Sequence, residues 1–397
     1  MTTNLALKSA SAAIETAAFK DALDKLKQVV EKRNTIPILD MIHITSDNGT
    51  IFLSGTDLDL YMTIALPANV EAGMNTTVGV HVLFDLVKTA PKGSVTTLTP
   101  TEESTILVDF GGPAMKLHTL APADFPTDCV SLKPDAAVYK IAGSTFFNGL
   151  DATQFAISTE ETRYYLNGVY LHNDHETNEL RMVTTDGHRL ALQNLGIYDI
   201  TVPRGAIVPR KTIKVLHKLL KGKGCPSELT LEVPSGVNGP SRLRFQWGNI
   251  TIESKMVDGT FPDYPRVIPS DSYTEIVAKV DAESLIAGVK QVSAVSSERG
   301  RAVKLTFTDG AKLKLTVNNP ELGSATYDLP ISYERLSPLK EGDTDILEIG
   351  FNASYFKDAL ETAGKGEVTL RLQDASSPIK ILGSRQEWVG VLMPMRV

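Results

Sequence analysis

Two groups of residues in this chain have the types and spacing to do chemistry. In Thr185-Asp186-Gly187-His188-Arg189-Leu190 a carboxylate and an imidazole stand two residues apart. Residues at i and i+2 on a strand face the same way, so a tight turn here could set Asp186 and His188 as an acid–base pair, as a hydrolase would need. The competing reading is a structural turn, with Asp186 bonding local backbone and Arg189 pairing nearby. No serine elbow, HExxH or second carboxylate cluster accompanies the pair, and the seven histidines lack metal-ligand spacing. The sequence therefore supplies no catalytic set, no metal site and no cofactor loop.

The second group is cationic. Arg210, Lys211, Lys214, His217, Lys218 and Lys221 follow Pro209 with no acidic residue among them. At about 100° per residue they fall within an arc of about 120°, while Ile213, Leu216, Leu219 and Leu220 fall on the other side. Such a stripe is either a solvated lysine face or a surface for a polyanion. In the first helix Lys20, Lys25 and Lys27 are mixed with Asp21 and Asp24, and Lys32 and Arg33 lie past its end, which reads as solvent-facing. Arg163-Tyr164-Tyr165-Leu166 is either a strand start or an exposed aromatic loop able to touch nucleic acid. The terminal run from Trp388 to Val397 is apolar, broken by Pro394 and carries Met393 and Met395. It reads as a buried last strand or as an apolar groove wall, where flexible Met side chains suit several partners.

These groups need elements to hold them. The 397 residues, 42% apolar, are enough for two to four domains at roughly 100 to 200 residues each. A charged fraction of 22% excludes the disordered and fibrous classes, and no apolar run approaches the roughly 18 residues of a membrane helix. No export signal is read before the first helix, and two cysteines, Cys129 and Cys225, fit a reducing cytoplasm. The net charge of −7 excludes an all-over cationic coat and leaves room for a basic patch on an acidic body.

Three stretches repeat one order of elements: amphipathic helix, hairpin, strand, second helix, further strands. The hairpins are Ile38 to Gly55 around Asn48-Gly49, Leu166 to Thr185 around Asn173 to Asn178, and Val303 to Asn318 around Asp309-Gly310. The opening helices are expected from a Thr16 cap up to Ile36-Pro37, over Asn148 to Ile157, and over Glu283 to Val295. Second helices are expected at His81 to Thr89, Pro209 to Lys221 and Ser354 to Ala363, closed by Gly93, Gly222 and Gly364. Pro-rich joints at Ala121 to Pro134 and Phe261 to Pro269 divide the chain into 1–133, 134–269 and 270–397, with 1–10 as an extension. Six copies of a helix-plus-antiparallel-strands motif in three domains make an α+β fold.

Several motifs in order carry a resemblance: TRYYLNGVYL (Thr162 to Leu171), TDGHRLAL (Thr185 to Leu192), VPRKTIKVL (Val208 to Leu216), SKMVDGTFPDYPRVIP (Ser254 to Pro269), NNPE (Asn318 to Glu321) and the terminal VLMPMRV. Together, from about Ser11 to Val397, they resemble the bacterial DNA polymerase III beta subunit family, the sliding clamps. The resemblance implies a non-catalytic processivity factor without cofactor: a head-to-tail homodimeric ring of clamp domains, helices inside and sheets outside. Such a ring encircles duplex DNA without reading its sequence, holds the replicative polymerase, and is placed by an ATP-driven clamp loader.

It also implies a partner-peptide groove between the second and third domains, at Arg163, Tyr165, Leu166, Thr185, Gly187, His188, Arg189, Leu190, Pro262, Arg266, Val267, Asn352, Tyr355, Val391, Leu392, Met393, Pro394, Met395 and Arg396. Other replication and repair proteins would share it. DNA contacts match Arg33, Tyr164, Tyr165, Arg210 and Lys211, and the stripe adds Lys214 and Lys218. A dimer contact is expected between Met115 and Leu117 of one protomer and Ala294 and Val295 of its partner. The chain departs from the family pattern at His81 and Val82, at Glu160, and at Ser376 and Pro378. A hydrolase using Asp186 and His188, and a scaffold that meets proteins only, are the rival functions.

Overall fold

The computed structural model describes residues 11–101, 103–127, 136–234, 241–296, 302–308, 311–338 and 345–397. Residues 1–10, Cys129, the Asp309-Gly310 turn and the division near 133 lie outside them. Among the described residues one step recurs: a strand runs directly into an α-helix. Ala12–Glu15 leads into α1 (Thr16–Leu26), Asn75–Gly79 into α2 (Val80–Val87), and Ala137–Ala142 into α3 (Gly143–Thr153). Ala206–Pro209 leads into α4 (Arg210–Leu220), Ile276–Asp281 into α5 (Ala282–Val292), and Ile346–Asn352 into α6 (Ala353–Ala363). The switch from period two to period 3.6 is helped by side chains that take up orphan helix N–H groups. Glu15 accepts from Ala18, Asp281 from Ser284, and Asn352 from Ser354 and Tyr355.

The helix ends differ in part from the sequence expectation. Glu15, not Thr16, caps α1, because the Thr16 hydroxyl is buried against that of Thr96 at 2.8 Å. The same helix stops at Leu26 and not near Ile36, where the Gln28 and Val29 N–H groups turn to the carbonyls three residues back, Lys25 and Leu26, and Val30 packs where Gly55 has no side chain. In the second stretch α3 begins at Gly143, ahead of Asn148, at a point where a Cβ would lie 2.3 Å from the Pro226 carbonyl oxygen. Ser293–Val295, expected as the end of α5, is a separate 3-10 turn.

The strand ladders among the described residues are antiparallel, and the chain gathers into two compact units: Met1–Ser144 with Lys214–Met256, and Thr145–Ile213 with Val257–Val397. The middle third of the sequence contributes to both. In the first unit an eight-stranded sheet runs from Ala137–Ala142 through Glu228–Val233, Arg242–Trp247 and Ile250–Lys255 to Leu60–Pro67, Thr50–Thr56, Met41–Asp47 and Asn75–Gly79. A five-stranded sheet of the same unit ends on Met115–His118.

In the second unit a nine-stranded sheet carries, in order, Ala206–Pro209, Gly168–Asn173, Glu179–Thr185, Arg189–Ile197, Trp388–Leu392, Ile379–Leu382, Glu367–Leu372, Ile276–Asp281 and Ser332–Arg335. A four-stranded sheet holds Gly323–Pro330, Lys312–Asn319, Ala302–Thr308 and Ile346–Asn352. Leu285 and Val289 of α5 and Phe356 and Leu360 of α6 share a core with Leu305, Leu315, Phe351, Leu370 and Trp388. Trp388 is 2% exposed and its indole N–H donates to the Ala152 carbonyl at 3.0 Å. Removing so large a buried ring leaves a cavity and an unpaired carbonyl. Trp388→Ala should therefore lower the unfolding free energy by about 3 to 5 kcal/mol in a denaturant titration, and Trp388→Phe by less.

Candidate functional site

The cationic stripe lies on α4. Its Arg210 N–H donates to the Asn167 carbonyl at 2.9 Å, which fixes where the helix starts. Ile213, Leu216, Leu219 and Leu220 are buried, whereas Lys214 and Lys218 are exposed and Arg210, Lys211 and His217 half-buried. Among the described residues no carboxylate pairs with Arg210, Lys214 or Lys218. His217 and Lys218 in the last turn also suit the negative end of the helix dipole. Arg33 is exposed in a bend of the first unit, and Tyr164, 53% exposed, sits edge-on to Tyr165 in the 3-10 turn Tyr164–Leu166. Of the departures from the family pattern, His81 bonds the Val30 carbonyl at 3.0 Å and Val82 is exposed.

The groove lies wholly within the second unit, as a cavity of about 290 Å³ lined by Arg163, Tyr165, Leu166, Thr185, Gly187, Arg189, Leu190, Pro262, Asp263, Tyr264, Val267, Val391 and Met393. Its floor is the sheet face away from the helices. Along Trp388–Leu392 the side chains of Trp388 and Leu392 enter the helix-side core, and Val391 joins Leu190, Leu192, Leu166, Phe261 and Tyr264 on the groove side. The alternation of a strand is what lets one segment serve both.

One wall is the turn after Thr185. Asp186 Oδ1 accepts from the His188 and Arg189 N–H groups at 2.9 and 3.0 Å, and Oδ2 from Arg189 Nε at 3.1 Å. The carboxylate is thus committed to backbone and arginine. The His188 ring instead stacks on Tyr355, with centroids 6.2 Å apart, so the acid–base pair expected of a hydrolase does not form. Arg189 reaches Asp358 at 2.8 Å with its guanidinium 4.2 Å from the Tyr355 ring centre. Gly187 has φ +86°, and a Cβ there would lie 2.5 Å from Arg163 Nη1, so this position needs glycine twice over.

The opposite wall is Phe261 to Val267, whose composition is that of a connector. Tyr170 is stacked between His172 and Phe261, with centroids at 4.5 and 4.8 Å. His172 Nδ1 donates to the Asn173 carbonyl at 2.8 Å, which can only accept, so Nε2 accepts a hydrogen bond from the Tyr264 hydroxyl at 3.0 Å. Burial lowers the His172 pKa and raises those of Tyr170 and Tyr264. Asp263 and Tyr264 line the cavity and were not expected to. Their signal was an aromatic set between prolines, which reads equally well as a linker.

The terminal segment contributes Met393 to the cavity. The Met393 N–H donates to the His188 carbonyl at 2.9 Å, and the Met395 N–H to the Gly350 carbonyl at 2.8 Å. The terminus divides: Trp388–Leu392 is a buried strand, and Met393, which lines the cavity, Met395 and Val397 are exposed beyond it. Several residues implied for the groove stand outside the cavity. Asn352 caps α6, Tyr355 and His188 stack behind Arg189, Leu392 is buried in the core, and Arg266 pairs outward with Asp263. Pro394 is half-buried, and Met395 and Arg396 are exposed past the cavity's end. Ser376 bonds Asp374 in a turn, and neither it nor Pro378 lines the cavity. Met115 and Leu117 lie on an edge strand of the first unit, and Ala294 and Val295 on the 3-10 turn after α5.

Family models for the DNA polymerase III beta subunit match in order, the N-terminal domain over 11–129, the central domain over 140–263 and the C-terminal domain over 265–396. The chain belongs to this family. Relatives include the beta sliding clamps of Caulobacter vibrioides, 35% identical over 97% of this chain and 99% of theirs, and of Escherichia coli K12, 33% identical over 92% and 94%. A DnaN sliding clamp from Bartonella birtlesii, solved bound to griselimycin, superposes with a TM-score of 0.88 at 38% identity, covering 98% of this chain and 99% of that one. The Pseudomonas aeruginosa beta subunit gives 0.86 at 30% identity, covering 97% and 100%. The chain is thus a DNA sliding clamp, a non-catalytic processivity factor of the polymerase, and the hydrolase reading has no support.

The His172 contact gives the fold a pH-dependent stability. With its pKa below the ordinary 6.5, neutral His172 contributes stability that is full above about pH 6.5 and is lost as pH falls through the folded value. Lowering the pH from about 7.5 to about 5 should therefore reduce the melting temperature of the wild type more than that of His172→Gln.

Proposed function

We propose that two copies of this clamp close head to tail into a ring around duplex DNA, each contributing three clamp domains at 1–133, 134–269 and 270–397. The observation that carries the DNA-facing assignment is the α4 face, where Arg210, Lys214 and Lys218 stand without acidic partners among the described residues, in a chain of net charge −7. A cationic lining attracts phosphates without reading bases, so the ring slides and topology holds it on. Lys211, Arg33, Tyr164 and Tyr165 are further DNA contacts in this reading. The groove takes short peptides with apolar anchors from the replicative polymerase, and in turn from the ATP-driven clamp loader and other replication and repair proteins. Its support is an apolar floor ringed by polar groups, the usual form of such a pocket. The working place is the bacterial cytoplasm.

Lys214→Glu together with Lys218→Glu should weaken clamp loading on primed DNA and lower the slope of log affinity against log salt by about two units, near 0.9 for each phosphate left without its cation. Unchanged loading and slope would place the stripe away from DNA.

The protomer contact runs from Met115 and Leu117 to the partner subunit, against the turn carrying Ala294 and Val295. A head-to-tail contact is heterologous, so it closes only when the rotation does. Val295→Asp would bury an unpaired charge there, a cost of several kcal/mol. Sedimentation of this variant should show monomers where the wild type shows dimers, and a dimeric variant would refute the pairing.

A further inference from the structure

Every charged side chain lining the groove is already paired within this chain. Arg189 holds Asp186 at 3.1 Å and Asp358 at 2.8 Å, and Asp263 holds Arg266 at 2.5 Å. Arg163 lays Nε and Nη2 on the two oxygens of Glu160 at 2.7 and 2.6 Å. The Glu160 backbone is fixed on both sides, its N–H donating to Ser158 Oγ at 3.1 Å and its carbonyl accepting from the Asn167 side-chain amide at 3.0 Å. On the far flank Arg163 Nη1 is against Gly187. The guanidinium is therefore wedged between Glu160 and the turn. The Arg163 hydrogen bond holds the Glu160 carboxyl below the usual carboxylate range, so it is an anion at neutral pH.

We propose that Glu160 is a specificity-determining residue of the groove: it fills the fork of Arg163, so the groove accepts peptides whose bound residues are apolar and uncharged and selects against those that present a carboxylate there. The inference rests on the reading of this groove as the partner-peptide site. An arginine gripped in a bidentate pair has no second fork of equal quality to give. A peptide carboxylate must then displace Glu160 or sit beside it as a like charge, whereas an uncharged residue meets neither cost. The selection is by repulsion as much as by fit.

The test uses the full chain, an N-acetylated, C-amidated hexapeptide of Leu, Phe and Gln, and its series of single-Asp derivatives, each titrated by isothermal calorimetry. Wild type should bind the uncharged parent, and the derivative with Asp opposite Arg163 about tenfold more weakly, a ratio equal to about 1.4 kcal/mol. Glu160→Gln should close that gap while leaving the parent's affinity unchanged, and Glu160→Ser should do the same. Adding Arg163→Gln to Glu160→Gln should reopen it. A gap that stays the same at every position in Glu160→Gln, with the parent still bound, would overturn the role of Glu160 alone. Failure of the parent to bind wild type would overturn the groove reading, and this inference with it.

Discussion

The second unit depends on one antiparallel pairing, in which Arg189 stands opposite Leu392, Leu190 opposite Val391 and so on to Gln193 opposite Trp388. These strands come from distant parts of the chain, and their ladder makes one sheet of the central hairpins and the C-terminal strands. Each cross-strand pair adds only about 0.2 to 1 kcal/mol, but the register decides more than the sum. A slip of one residue would turn Trp388 and Leu392 out of the helix-side core and Val391 off the groove floor. Burial of the tryptophan therefore fixes where Met393 leaves the sheet, and with it the end of the groove.

Charge is arranged differently at the two surfaces. On α4 the cations are sorted onto one face, with Arg210, Lys214 and Lys218 clear of local acids among the described residues, which keeps their field available to a polyanion. In the groove the arginines are paired with Asp186, Asp358 and Glu160, which leaves less of their charge for a bound peptide. The difference suits a sliding contact in one place and a shape-selective contact in the other.

Much of this was legible in the sequence because it rests on local periodicity. The hairpin at Asn48-Gly49, the helix with a lysine stripe and the glycines after the second helices follow from spacing alone, and Gly93, Gly222 and Gly364 all have positive φ. Motif likeness supplied the clamp family. What escaped was set by tertiary contact. The early start of α3 depends on Pro226, the early end of α1 on Val30 packing at Gly55, and the pairing of Arg163 depends on a loop fixed by Ser158 and Asn167. The Phe261 to Val267 wall has linker composition and becomes ordered through Tyr170 and His172, far away in sequence. Division into thirds follows the repeat, whereas compactness follows the sheets, and the central third is shared between two of them.

On this account the segment beyond Leu392, which places Met393 at the cavity, serves the groove and not the fold, and deleting Met393 to Val397 while following peptide binding and thermal melting on the same sample tests this most directly. The segment is held to the protein by backbone bonds to His188 and Gly350 and by Val397 over Gly350, while Met393, Met395 and Val397 are 42%, 39% and 63% exposed. The predicted result is a melting temperature near that of the wild type, dimers intact, and peptide affinity reduced by roughly thirtyfold or more, as for loss of an apolar anchor worth about 2 kcal/mol. A large drop in melting temperature, with dimer and binding lost in parallel, would contradict it and make the tail part of the core.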